Sequence, residues 1–324
     1  MEPYCIPAHV KCQGSAPLTE TESTRRYAAT CISRSSASHA NSVLRGALND
    51  YLAREMELQS LGEWEQQFAS DVIVDLHEAD LADVRVRLSA AAGDTGDTAI
   101  LPAAGRRKRL LLSDMDSTII GQECLDELAD FAGLKSEVSA ITERAMRGDL
   151  DFDTALTTRV RMLDGLGLDA LQACFDARIT LNPGARTLVA TMRALGAETL
   201  LVSGGFTFFT ERVAVLAGFH DHQGNTLIDD GSRLTGAVGQ PILGREAKRN
   251  ALNDAAGALG LTVGDALTLG DGANDLAMIK TSGLGLAYRA KPVVAAEADA
   301  AINVCDLTAA LFFQGIHARD FVAP

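Results

Sequence analysis

The hydrophobic pattern of the latter two thirds of the chain alternates short apolar runs with longer amphipathic segments. Four runs of strand length occur from residue 108 onward, each followed by a segment of helical length: KRLLLSD, ETLLVSGG, DALTLGDG and GLGLAY. Apolar runs that alternate with helices are typical of a parallel sheet with crossover helices. The pattern therefore predicts a Rossmann-like α/β domain over residues 103–324.

The first third of the chain follows another pattern. Residues 1–24 are polar and aperiodic, which is typical of a flexible extension. Residues 25–102 predict the order βαββαβ, with strands at RYAATCIS, near MELQSL, at DVIVDL and at DTAILP, and helices over HANSVLRGALNDYLARE and ADLADVRVRLSAA. This order is that of a ferredoxin-like α+β domain, and it resembles the ACT-type modules that bind amino acids. A regulatory amino-acid site and a structural or dimerising role are both compatible with it, because element order alone specifies no ligand.

Short helical segments lie between the first two strands of the α/β domain. CLDELADFA, EVSAITERAM, FDTALTTRVRML and LDALQACFD fall within about residues 121–190. We expect them to form an inserted helical cap that closes over a site and excludes water. Farther on, an Asp-Gly signal at Asp230-Gly231 predicts a hairpin beside the sheet.

Composition and charge exclude several classes of protein. The formal net charge of -14 argues against a general nucleic-acid binder, whose surface should be basic. Because the chain has neither an uncharged apolar run of about 18 residues nor the features of a secretory signal, we expect a cytoplasmic protein without a membrane partner. The basic run at residues 106–109 is interpreted as a solvated linker, with a phosphate-binding patch as the alternative.

Polar side chains follow two of the predicted strands where their carboxyl ends should meet. Asp114 and Asp116 come after LLLS, and TLGDGAND adds Asp271, Asn274 and Asp275. Two acidic turns that converge in an apolar sheet repel each other unless a cation lies between them, and ligands that are all oxygen atoms favour Mg²⁺ over zinc. Taken alone, DMDST is equally compatible with a helix N-cap and a polar first turn.

Two further segments are ambiguous by themselves. LLVSGGF supplies the Ser203 hydroxyl and the backbone N–H groups of a glycine turn, which suit a phosphate but also occur in ordinary strand-to-helix turns. Lys248, in GREAKRNAL, would by itself be interpreted as a solvated lysine on an amphipathic helix.

Taken in order, DMDST, VSGG, a lysine and GDGAND resemble the four motifs of the haloacid dehalogenase superfamily. Across about residues 108–315 the chain resembles the phosphoserine phosphatases of that superfamily, because Glu123 has the family's spacing and ITERAMRGDLDFDTALTTRVRMLDGL matches its cap. The resemblance implies Mg²⁺-dependent hydrolysis of O-phospho-L-serine to L-serine and phosphate through an aspartyl phosphate, as the last step of serine biosynthesis. The alternative is a related phosphatase or phosphotransferase for phosphohomoserine or phosphothreonine, since one methylene group discriminates modestly.

The resemblance also implies a role for each matching residue. Asp114 is the expected nucleophile and Asp116 the general acid and base, while Asp114, Asp271 and the main-chain carbonyl of Asp116 would hold Mg²⁺. The residues expected to hold the phosphoryl group or its intermediate are Ser203, Gly204, Gly205, Lys248 and Asn274, with Asp275 in support.

In the cap, the resemblance makes Arg159 the partner of the substrate carboxylate and Glu123 the partner of its ammonium group. Met146 and Phe152 would line the substrate site. Without the resemblance, Arg159 would be interpreted as an exposed ion-pair partner on a helix and Glu123 as a favourable charge in a first turn. We expect a small molecule as the partner and leave a homodimer open.

Overall fold

Two sheets organise the part of the chain that this computed structural model describes. The described residues are 24–52, 57–146, 149–244 and 246–323, without the side chains of residues 143, 145 and 146. Residues 1–23 of the predicted flexible extension lie outside this part. Within it, none of the helices has the length and apolar character needed to cross a bilayer.

The first sheet has four antiparallel strands in the order β2-β3-β1-β4. Its elements are β1 (Arg25–Ser33), α1 (Ala37–Leu48), β2 (Gln59–Trp64), β3 (Gln67–Leu76), α2 (Leu81–Ala92) and β4 (Gly96–Pro102). This order confirms the predicted small α+β fold. The α1 helix ends earlier than the pattern predicts, because Asn49 and Asp50 are poor helix formers. The Asp50 carboxylate accepts a hydrogen bond from Arg87 of α2 at 2.7 Å.

Both faces of this first sheet are buried. Successive side chains of a strand point to opposite faces, so that Cys31 packs against α1 and α2 while Ile32 faces the other way. Ile32 and Leu101 share a core with Phe312 and Phe313 near the end of the described chain. The N-terminal sheet is therefore packed directly onto the second part of the protein.

The second part contains the remaining elements: β5 (Leu110–Ser113), α3 (Cys124–Phe131), α4 (Lys135–Met146), α5 (Phe152–Arg161), α6 (Leu168–Arg178), α7 (Ala185–Ala194), β6 (Glu198–Phe206), α8 (Thr207–Ala217), β7 (Asp221–Asn225), β8 (Leu227–Asp229), β9 (Leu234–Val238), α9 (Ala247–Ala258), β10 (Ala266–Gly270), α10 (Leu276–Thr281), β11 (Leu284–Tyr288), α11 (Pro292–Glu297), β12 (Ala300–Ile302) and α12 (Ala309–Phe313).

Six of these strands form a parallel sheet in the order β12-β11-β10-β5-β6-β7, which confirms the predicted Rossmann-like architecture. All four residues of β5 are buried, as expected for a central strand covered on both faces. Five helices, α3 to α7, lie between β5 and β6, and the first four of them lie where the pattern predicts the cap. The β8 and β9 strands pair as the predicted hairpin, with Gly231 in its turn at φ +92°.

The basic run at residues 106–109 is not a solvated linker throughout. The Arg106 side chain is 9% exposed and pairs at 2.8 Å with Asp71 of β3, and its guanidinium also donates to the Phe313 carbonyl oxygen. Lys108 donates to the Gly264 carbonyl oxygen at 2.8 Å. The solvated interpretation is thus wrong for Arg106, and its contacts do not support a phosphate patch because the guanidinium is already engaged between the two sheets.

Candidate active site

The carboxyl ends of three adjacent strands, β10, β5 and β6, bring the motif residues to one edge of the parallel sheet. The parallel register sets Leu269 beside Ser113, and the Asp114 N–H donates to the Leu269 carbonyl oxygen at 2.9 Å. Asp114 and Asp271 are consequently neighbours. They border a cavity of about 370 Å³ that is also lined by Asp116, Glu123, Phe152, Arg159, Ser203, Gly204, Gly205 and Asn274.

The Asp114 carboxylate forms an ion pair with a buried lysine, Lys248. Its Oδ1 accepts a hydrogen bond from the Met115 N–H at 2.7 Å and pairs with Lys248 Nζ, also at 2.7 Å. Lys248 additionally lies 2.6 Å from Asp275 Oδ1, and the lysine side chain is 4% exposed. Burial alone would lower the pKa of Lys248, but Asp114 and Asp275 raise it, so the ammonium stays charged.

Asp275 shapes the turn that carries Asp271. Its Oδ2 accepts hydrogen bonds from the N–H groups of Asp271 (3.1 Å) and Gly272 (2.9 Å). A Cβ atom at Gly270 would lie 2.4 Å from the Asp275 carboxyl carbon, so this close approach requires glycine. Asp275 therefore stabilises the turn that carries Asp271, and its expected role in the reaction stays a prediction.

Asp116 is held by one donor from the sheet and one from the cap. Ser203 Oγ donates to its Oδ2 and the Cys124 N–H at the start of α3 donates to its Oδ1, both at 2.8 Å. The Ser203 hydroxyl in turn accepts from the Gly205 N–H at 2.8 Å. These bonds fix the Asp116 carboxylate directly beside the glycine turn.

Negative charge exceeds positive charge in this cluster. One carboxylate oxygen from each of Asp114, Asp271 and Asp275 lies within 4.8 Å of the others. Burial and the nearby Asp275 raise the pKa of Asp114, against the opposing effect of Lys248, and the same two causes raise the pKa of Asp271 to about 6. A divalent cation would relieve this repulsion, so the donor set fits a hard metal ion.

Two cap residues of opposite charge face the same cavity. Glu123 precedes α3, and its Oε1 accepts a hydrogen bond from Ser117 Oγ at 2.7 Å. Burial and the Asp116 charge raise the pKa of Glu123 to about 7. Arg159, on α5, is partly buried and donates from Nε to the Ala155 carbonyl oxygen at 3.3 Å. Both side chains thus line the same cavity as Asp114 and Asp116.

Phe152 and Met146 are the two further cap residues that were expected to line the substrate site. The Phe152 ring packs against the glycine turn, since a Cβ atom on Gly204 would come within 3.1 Å of its ring. The Met146 side chain lies outside the described part of the structure, although the residue ends α4. Its expected substrate contact stays a prediction.

Several residues that line or support the cavity were not predicted from the sequence motifs. Lys291 follows β11 and lines the cavity, and its N–H donates to the Asp271 carbonyl oxygen at 3.3 Å. Its only sequence signal is its position shortly after an apolar strand, where polar residues gather at the same sheet edge. Asp126 and Thr142 also line the cavity from the cap helices α3 and α4. Ser117 contributes through its bond to Glu123.

Comparison with known proteins agrees with this architecture. The sequence model of the haloacid dehalogenase-like hydrolases matches residues 111–280. A phosphoserine phosphatase from Polaromonas sp. is 46% identical over 200 residues, which cover 60% of this chain and 85% of that protein.

Two solved structures are similar as well. A haloacid dehalogenase family hydrolase from Salmonella enterica is 28% identical with a TM-score of 0.78, covering 89% of this chain and 98% of that one. A substrate-bound phosphoserine phosphatase complex is 35% identical with a TM-score of 0.59, covering 64% of this chain and 98% of that one. The chain belongs to the haloacid dehalogenase-like hydrolase family.

Proposed function

We propose that this enzyme hydrolyses O-phospho-L-serine to L-serine and inorganic phosphate with Mg²⁺ as its cofactor. The observation that carries the proposal is the shared cavity of four side chains: the paired aspartates Asp114 and Asp116 at its floor and the oppositely charged Glu123 and Arg159 on its cap side. The first pair suits transfer of a phosphoryl group, and the second suits an amino acid. The similar phosphoserine phosphatases support this assignment.

The first half of the reaction uses Asp114 as the nucleophile. Its Oδ1 is occupied by Lys248 and the Met115 N–H, which leaves Oδ2 for attack on phosphorus. A bond forms between Oδ2 and phosphorus while the bond from phosphorus to the serine oxygen breaks. Asp116 gives its proton to the departing serine oxygen, so that serine leaves as a neutral alcohol.

The second half returns the enzyme to its starting state. Water attacks phosphorus, Asp116 takes a proton from that water, and the bond between phosphorus and Asp114 breaks to release phosphate. Because the Asp116 carboxylate is held from two sides, by Ser203 and by the Cys124 N–H, the same group stays in place for both proton transfers.

Positively charged and hydrogen-bonding groups would offset the repulsion between the Asp114 carboxylate and the substrate phosphate. Asp114, Asp271 and the Asp116 carbonyl oxygen would hold Mg²⁺, and the cation would supply positive charge that offsets the repulsion between carboxylate and phosphate. Lys248 adds charge through its contact with Asp114. Asn274 and the Gly204 N–H are then suited to bind the phosphoryl oxygens, and the Ser203 hydroxyl would join them by turning its one O–H from Asp116 to a phosphoryl oxygen.

Selectivity for an amino acid follows from the cap. Arg159 can pair with the substrate carboxylate through two parallel hydrogen bonds, and Glu123 can accept from its ammonium group. Phe152 narrows the space above Gly204. Phosphohomoserine and phosphothreonine differ from phosphoserine by one carbon, so discrimination against them depends on this fit.

We also propose a division into an ACT-like domain at residues 25–102 and a phosphatase domain at 103–324, with a cap at about 121–190. The boundary after residue 102 is supported by the seven residues that separate the end of β4 at Pro102 from the start of β5 at Leu110. A cytoplasmic location, a homodimer and a place in serine biosynthesis stay predictions.

The test is release of phosphate from phosphoserine, phosphohomoserine and phosphothreonine, with Mg²⁺ and with EDTA. We expect a preference for phosphoserine, a requirement for Mg²⁺ and no turnover by Asp114→Asn. Asp254→Asn, an exposed carboxylate on α9, is the matched control and should keep full activity. Turnover of another ester but not of phosphoserine would disprove the assigned substrate, whereas activity in Asp114→Asn would disprove the nucleophile.

A further inference from the structure

The loop between β5 and the cap holds one residue in a strained backbone conformation. Ser117 has φ +54°, in the left-handed region that residues with a side chain seldom adopt. Strain of this kind persists only where the surroundings enforce it, and it is concentrated at functional sites. Of the described non-glycine residues with positive φ, namely Glu65, Gln66, Ser117 and Arg289, Ser117 directly follows Asp116.

The conformation of Ser117 brings both of its donors onto the residues just before α3. Its N–H donates to the Gln122 carbonyl oxygen at 3.1 Å, and its hydroxyl donates to Glu123 Oε1 at 2.7 Å. The segment from Ser117 to Gln122 is thereby closed into a loop. The hydroxyl is bound to a carboxylate, and such charge-assisted bonds are stronger than bonds between neutral groups.

The same loop is tied to the segment by which the chain returns from the cap. The Gln122 side-chain amide donates to Thr180 Oγ1 (2.9 Å) and accepts from the Thr180 N–H (3.0 Å). Asn182 donates to the carbonyl oxygens of Thr118 (2.8 Å) and Ile120 (3.0 Å). These bonds hold the main chain just before Glu123 in place, and the bond from Ser117 holds the Glu123 carboxylate.

We propose that Ser117 is a positioning residue for substrate recognition, whose hydroxyl holds the Glu123 carboxylate where the ammonium group of a phosphorylated amino acid binds. The inference rests on the proposed function and deepens it. A glutamate side chain has several freely rotating bonds, and the bond at Oε1 removes part of that freedom before substrate arrives. The second oxygen, Oε2, then accepts from the substrate ammonium group.

The test compares two substrates that differ only in the ammonium group. These are O-phospho-L-serine and the phosphate ester of 3-hydroxypropionate, which is phosphoserine without its amino group. Ser117→Gly removes the hydroxyl and accepts the positive φ without strain. Ser117→Asn also tolerates this conformation and supplies an amide donor that can replace the hydroxyl.

We expect Ser117→Gly to raise KM for phosphoserine about tenfold, the effect of one charge-assisted hydrogen bond. KM for the ester without the amino group should change less than about twofold, because that substrate does not use Glu123. Ser117→Asn should recover part of the loss. In a Glu123→Gln background, Ser117→Gly should have no further effect on KM, because residues that act as one unit are not additive.

Ser136→Ala is the matched control, since Ser136 Oγ donates to Glu137 Oε2 at 2.7 Å on the exposed side of the cap. It should leave both KM values unchanged. Equal increases of KM for both substrates, or an additive effect in the Glu123→Gln background, would overturn the inference. Failure of the proposed function would be seen separately, as wild-type enzyme that ignores phosphoserine before any variant is made.

Discussion

Lys248 Nζ lies 2.7 Å from Asp114 Oδ1 in a region where both side chains are at most 6% exposed. A second carboxylate, that of Asp275, lies 2.6 Å from the same ammonium group. One buried positive charge thus serves two buried negative charges. The lysine is therefore part of the structural support of the nucleophile before any phosphate arrives.

Removal of Lys248 should affect stability as well as activity. In Lys248→Met, two buried carboxylates lose their partner, and breaking a buried pair costs about 3–5 kcal/mol in the free energy of unfolding. We expect a drop in kcat of about a thousandfold, because the charge beside Asp114 is lost as well. Urea unfolding and phosphate release measure the two effects. Lys280→Met, which breaks an exposed pair with Glu297, should cost less than about 1 kcal/mol. Equal losses of stability in Lys248→Met and Lys280→Met would contradict the structural role of Lys248.

The pH dependence of substrate binding should report Glu123. Its pKa of about 7 means that the carboxylate is mostly neutral below that pH and charged above it. A neutral carboxyl group pairs poorly with an ammonium group, so kcat/KM for phosphoserine should fall about tenfold per pH unit below 7. Rates measured from pH 5.5 to 8.5 test this. The ester without the amino group should lack this limb, and its presence there would assign the titration to another group.

Metal binding should compete with protons at Asp271. Its pKa, raised from 3.8 to about 6, means that the folded protein binds more protons than the unfolded chain between these values. Without metal, this group therefore makes the protein less stable as pH rises through that window, and the loss is complete above about pH 6.

Mg²⁺ should reverse this trend, because the cation favours the charged carboxylate. We expect Mg²⁺ to raise the melting temperature more at pH 7.5 than at pH 5. Calorimetry in two buffers of different ionisation enthalpy should show proton release on binding near pH 6. Asp271→Asn should reduce that release, because only Asp114, whose pKa is also raised, would still lose a proton to the cation. Asp254→Asn should leave the release unchanged. An undiminished proton release in Asp271→Asn would place the linked group elsewhere.

Local pattern was sufficient to predict some parts of this protein and insufficient for others. The four buried residues of β5 and the aspartates that follow them are adjacent in sequence, so an apolar run and its polar end predict both. The left-handed Ser117 has no such signal, because its conformation depends on a loop closed by Gln122. Lys291 has no clear signal either, because its place at the cavity depends on how the following helix, α11, packs.

The interface between the two sheets also has no local sequence signal. The partners Asp71 and Arg106 are separated by 35 positions. Nothing in the basic run at residues 106–109 distinguishes Arg106, whose side chain is buried, from the basic residues that follow it. Asp97 is similar, since its carboxylate accepts hydrogen bonds from the N–H groups of residues 303–305. Such contacts become visible only once the N-terminal sheet is docked.

Substitution of Arg106 should strongly destabilise the protein, because this residue joins the two sheets. Its pair with Asp71 has side chains 9% and 6% exposed, so Arg106→Leu would leave a buried carboxylate without its guanidinium partner. We expect a loss of about 3–5 kcal/mol in the free energy of unfolding. Adding Asp71→Leu should restore much of it, because a well-packed apolar pair replaces the buried charge.

Arg87→Leu provides the control for this interface, because Arg87 forms ion pairs with Asp50 and Asp83 at 2.7 Å on the surface. Its loss should cost less than about 1 kcal/mol per pair. Urea unfolding followed by both fluorescence and phosphatase activity should give one coincident transition in the wild type, since the two sheets share a core. Separate transitions, or equal costs for Arg106→Leu and Arg87→Leu, would mean that the N-terminal sheet folds independently of the phosphatase core.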